Sequence, residues 1–163
     1  MGKASDAVAD ITSLTAHIKP TSVVLPLDFA PEGRDAEHKA IADANFIFCH
    51  ATHYLAGDKP LIFLDNYEAN TGYFPLVWKE NVNPYNPAIK CGPGFEAPVP
   101  CANIVGYERA TGVKIDYLIL WCFKPSLLQD PGYQYTAAQV QNGYHLIFTS
   151  PSGRSLLYER NIP

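Results

Sequence analysis

The stretch that most constrains the fold is residues 101–123, CANIVGYERATGVKIDYLILWCF. In its second half Val113, Ile115, Tyr117, Ile119, Trp121 and Phe123 recur at every second position, the period of a strand with one apolar face. The opposite face carries Lys114, Asp116, Leu118, Leu120, Cys122 and Lys124, polar at its ends and apolar in the middle. A strand apolar on one face and half apolar on the other belongs near the centre of a sheet. Ala110-Thr111-Gly112 supplies a turn, because glycine reaches positive φ without strain, so 101–123 reads as a hairpin that forms the spine of the core.

The rest of the chain is arranged around that hairpin. Residues 6–19 predict an amphipathic helix with Val8, Ile11, Leu14 and Ile18 on one stripe and Pro20 as its stop. Residues 22–27 read as an edge strand, since Pro26 cannot donate to a ladder. Asp35 is a good cap for a second helix. Beyond it two readings compete: a helix running to Leu55 and closed by Gly57, or a strand over 46–54 turning through 56–60 into a strand over 61–65. Phe, Ile, Thr and Cys are better strand formers than helix formers, which favours the hairpin. Residues 73–78 (YFPLVW) predict a strand broken by Pro75, and 137–142 a short helix begun by a Thr136–Gln139 capping box. Residues 144–149 and 155–160 flank Ser150-Pro151-Ser152-Gly153, a hairpin signal.

These elements predict one α+β domain over residues 1–163: a mostly antiparallel β-sheet curled into a half-barrel or barrel, with one or two N-terminal helices packed on it. The 14 prolines and 11 glycines imply many turns and suit such a β-rich chain.

A net charge of −4 with no run of Lys or Arg excludes a broad nucleic-acid-binding surface. No apolar run approaches the ~20 residues that span a bilayer, and MGKASDAVAD lacks a signal-peptide core, which favours the cytoplasm over a mature secreted form. Phosphate loops, a GxSxG elbow, HExxH and CxxC zinc patterns are all missing, so no cofactor and no metal are expected. Cys91 and Cys101 bracket a turn-rich loop whose ends can meet in a disulfide in an oxidising compartment.

Reactive residue types are densest at Cys49-His50-Ala51-Thr52-His53. On a helix His50 and His53 share a face at i,i+3 and could ligate one metal, with Asp58 or Asp65 as third ligand. On a strand they point to opposite faces and are ordinary polar histidines, the reading that the preferred hairpin implies. Glu108 and Arg109 lie near the turn of the central hairpin and His145 opens the next one, so a base, an anion anchor and an acid could meet there. The combination is like that of small microbial ribonucleases in residue types only. Trp78, Tyr107 and Tyr117 are the rings expected to line a pocket, closed by the Pro/Asn-rich loop 79–100.

Three functions fit this reading. The first is a protein binding a small organic ligand in an aromatic-lined pocket, with Trp78, Tyr107, Tyr117 and Arg109 in contact. The second is a cofactor-independent lyase, isomerase or hydrolase using His145, Glu108 or His50 in that pocket. The third is a structural subunit that self-associates into a homo-oligomer through exposed aromatics.

Overall fold

A computed structural model of the chain describes residues 3–30, 33–34, 40, 50–86 and 100–162. Strand β1 (Val23–Asp28), β2 (Ile62–Phe63), β3 (Tyr117–Trp121), β4 (Tyr144–Thr149) and β5 (Ser155–Arg160) form one open sheet in the order β2-β1-β3-β5-β4. β2, β1 and β3 run parallel, while β5 is antiparallel to both β3 and β4. All of YLILW in β3 is buried, as a strand covered on both faces requires.

Helices cover both faces. On one, helix α1 (Lys3–Thr12) and the 3-10 helix Ala51–Gly57 bring Ala7, Ile11 and Leu55 onto Val24, Tyr117, Ile119 and Trp121. On the other, α2 (Ile104–Thr111) and α3 (Pro131–Gly143) bring Ile104, Tyr107, Tyr133 and Val140 onto Leu27, Leu118 and Leu120.

The expected antiparallel barrel is therefore corrected to an open mixed sheet between helices. Parallel neighbours need long crossovers, and here the connections between strands deliver the 3-10 helix Ala51–Gly57, α2 and α3, while α1 precedes β1. A sheet with both faces covered has no need to curl on itself.

The supposed hairpin at 101–123 is the source of that error. Its first half is α2, capped by the Asn103 side chain accepting from Gly106 N–H at 2.8 Å and ended by Gly112 at φ +73°. The glycine serves as a left-handed helix stop, not as a hairpin turn. Ile104 and Tyr107, three apart, face the sheet. Alternation holds only within 117–121. Ile115 and Phe123 pack on the Leu118 side, and Cys122 turns the chain away at φ +55°.

β1 lies inside the sheet despite Pro26. The Ser22 and Val24 carbonyls accept from Ile62 and Leu64 N–H at 3.0 Å each, and by strand alternation position 26 comes next on that side. Proline has no N–H to offer, so pairing with β2 stops there and the edge opens. Of the strand expected at 46–54, residues 46–49 lie outside the described residues, and from Ala51 the chain is a 3-10 helix. Residues 73–78 form no strand. The helix capped by Asp35 lies outside the described residues. α3 is longer than expected because Asp130 caps it, accepting from Gly132 N–H at 2.7 Å ahead of Pro131 in the first turn. Thr136 is buried within it and accepts from Ala102 N–H at 2.8 Å.

The β4–β5 hairpin forms as read, with a bulge between Leu146 and Phe148. Its turn is fastened to α1. The buried Asp10 carboxylate accepts from the Ser150 hydroxyl at 2.6 Å, the Ser155 hydroxyl at 3.2 Å and Ser152 N–H at 3.2 Å. Cys101 is disulfide-bonded, whereas Cys91 lies outside the described residues. Among the described residues no helix is long and apolar enough to cross a membrane.

Candidate functional site

β1, β2 and β3 end at the same edge. The chain leaving β1 next packs as the 3-10 helix Ala51–Gly57 on the α1 face, whereas the chain leaving β3 runs to α3 on the other. Connections that part in this way leave a crevice outside the carboxyl ends of the strands, where open α/β sheets bind ligands. Here it is lined by Pro26 and Asp28 from β1, Asp65 just beyond β2, Trp121 at the end of β3, and His50 and Thr52. Its enclosed part has room for about one water molecule.

Local structure aims the histidines. His50 sits at φ +65°, left-handed backbone that costs a non-glycine residue roughly 1–2 kcal/mol. From there the chain enters the 3-10 helix, and His53 N–H donates to the His50 carbonyl at 2.8 Å. The i,i+3 spacing then brings the two rings together on one side, tilted by 35° with centroids 4.7 Å apart. Tyr67 stacks on His50 at 5.3 Å, and Phe63 meets His53 at 4.7 Å.

Both imidazoles reach Asp65. His53 Nε2 lies 2.7 Å from Oδ1, and His50 Nδ1 lies 3.4 Å from Oδ2. All three residues are half-buried. Burial alone would raise the Asp65 carboxyl, but the two histidines outweigh it and hold the group below the usual carboxylate range. Asp28 goes the other way. Burial pushes its carboxyl up to about 7, and the hydrogen bond from Ala30 N–H to Oδ1 at 2.8 Å opposes that rise only in part. Asp28 Oδ2 and the Thr52 hydroxyl are buried without a hydrogen-bond partner among the described residues. The crevice therefore holds two carboxyls of opposite protonation preference, one poised to accept and the other able to donate.

Protein-family models, curated proteins and solved structures gave no match to this chain. The geometry alone informs its function.

The other residues singled out from sequence are dispersed. Glu108, on α2, pairs with Arg160, lies 3.5 Å from Lys114 Nζ and accepts from Ile115 N–H at 3.0 Å, clipping α2 to the sheet. Arg109 is exposed on the same helix. His145 is exposed on β4, at the sheet edge opposite β2, with Nδ1 2.9 Å from Asn161 Oδ1. Tyr117 packs on the α1 face and its hydroxyl donates to Glu159 at 3.1 Å. Tyr107 and Trp78 belong to the other face, donating to the Val82 and Asn66 carbonyls at 3.3 and 2.9 Å. The sheet separates Tyr117 from those two rings. Of the loop 79–100, residues 79–86 and 100 are described, and the 3-10 helix Glu80–Val82 lies against α2.

Of the catalytic candidates, His50 alone lines the crevice, while Asp28 and Thr52 were not foreseen. A signal existed for Asp28: VVLPLD and LIFLD are both apolar runs ended by aspartate, the pattern of buried parallel strands presenting a carboxylate at their carboxyl ends.

Proposed function

We propose that this chain binds a small polar ligand at the carboxyl edge of β1, β2 and β3. The observation supporting this is the convergence of His50, Asp65 and Asp28 on one crevice, with His53 bonded to Asp65 beside it and buried oxygen atoms of Asp28 and Thr52 without hydrogen-bond partners among the described residues. Unpaired buried polar atoms are costly, and a ligand that supplies their hydrogen bonds recovers that cost. The enclosed part admits about one polar group, so the body of the ligand rests outside, beside the half-buried imidazoles.

The test is an NMR screen of the chelator-treated, metal-free protein against small alcohols, amines and carboxylic acids. The expected result is that responding fragments shift the His50 and His53 ring protons and the Trp121 indole N–H, and that Asp65→Asn removes the response. Shifts confined to other surfaces, or none at millimolar fragment, would overturn the reading.

A further inference from the structure

We infer that His50, His53 and Asp65 form a binding site for one divalent transition-metal ion of zinc's class, which deepens the ligand-binding reading by naming the cation at its centre. Two imidazoles and one carboxylate are the donor set that such ions favour, whereas magnesium and calcium prefer oxygen alone. Metal–ligand bonds of about 2.0–2.1 Å place tetrahedral ligands about 3.4 Å apart. His50 Nδ1 and Asp65 Oδ2 are 3.4 Å apart, and the candidate ligand atoms of the three residues all lie within 4.8 Å of one another. His53 Nε2 and Asp65 Oδ1, at 2.7 Å, hold a hydrogen bond that the ion would replace.

The three donors come from two rigid places. Asp65 follows Leu64, just beyond β2, whose N–H is bonded to Val24 of β1 at 3.0 Å, and both histidines belong to one short helical turn. Tyr67 and Phe63 pack against the rings and fix their planes. Such preorganisation separates a site from histidines that happen to be neighbours. With three protein donors and half-buried surroundings, the ion keeps at least one position for an outside ligand, the arrangement of open rather than structural zinc sites.

The experiment uses the full chain stripped with a chelator and then titrated with zinc in competition with a chromophoric chelator. Histidine ring resonances are followed by NMR in the same samples. The expected result is one zinc per chain, with shifts at His50 and His53 and none at His17 or His145. His50→Gln, His53→Gln and Asp65→Asn should each weaken uptake by more than about tenfold while circular dichroism stays unchanged. Magnesium and calcium should not compete. Should one of these variants fail to fold, cobalt absorption in the unaltered chain still reports whether imidazole donors surround the ion. No uptake by the folded protein, shifts at His17 or His145 instead, or uptake indifferent to all three substitutions would overturn the metal site. A fragment response in the metal-free protein without zinc uptake removes the metal and leaves the ligand reading standing. Zinc uptake with no fragment response in either form removes the small-ligand reading and leaves the metal.

Discussion

Replacing Asp28 with Asn should alter how the stability of this domain depends on pH. In the unfolded chain the Asp28 carboxyl titrates at its ordinary 3.8, and in the folded protein at about 7. Below pH 3.8 both states hold the proton and the group contributes nothing. As the pH rises towards 7 the unfolded chain releases its proton while the folded protein keeps it, so stability falls through that window and levels off above it. A difference of about three pH units at about 1.4 kcal/mol each sets an upper limit near 4 kcal/mol. Relaxation and water entry should reduce this to ~2 kcal/mol. Asn keeps the shape and can still accept from Ala30 N–H, but it does not titrate. The assay is urea unfolding of both proteins from pH 4 to pH 8. Titrations common to the two cancel in the difference, so the variant should gain ~2 kcal/mol relative to the parent across this range, whatever constant offset its new amide introduces. A difference that stays flat with pH would refute the claim that the crevice holds Asp28 in its neutral form.

Other expectations concern the frame around the site. Trp121→Ala removes a side chain that is only 2 % exposed and should cost ~3–5 kcal/mol in denaturant unfolding, so a loss under ~1 kcal/mol would contradict its place in the core. Asp10→Ala strips the acceptor from two buried serine hydroxyls and should cost ~2–4 kcal/mol, with hydrogen exchange rising first in the β4–β5 turn. Gly112→Ala, at φ +73° with open space around the position, should cost ~1 kcal/mol from backbone strain alone. Thiol counting in denaturant should find Cys101 unreactive until reductant is added, with Cys122 reactive throughout.

The sequence by itself determined the elements whose signals are local. The β4–β5 hairpin follows from a turn tetrapeptide between two β-prone runs, and the N-terminal helix from a single apolar stripe, although of the expected 6–19 only the part through Thr12 is α-helical and Ser13–His17 is a 3-10 helix. The central place of β3 follows from YLILW, because a strand of such residues must be covered on both sides. Tertiary structure decided the remainder. The alternation lies in 113–123, and the strand reading of the half before it rests on the turn at 110–112; there the cap of Asn103 and the left-handed Gly112 delimit a helix instead. Whether β1 and β3 lie parallel depends on crossovers distant in sequence, and that choice turned an expected barrel into an open sheet. The site shows the same division. His50 and His53 were visible as a cluster, but i,i+3 proximity exists only once the chain is helical there. Asp28 and Asp65 meet them because parallel strands end at one edge and Pro26 stops their pairing, and no spacing in the sequence encodes that meeting.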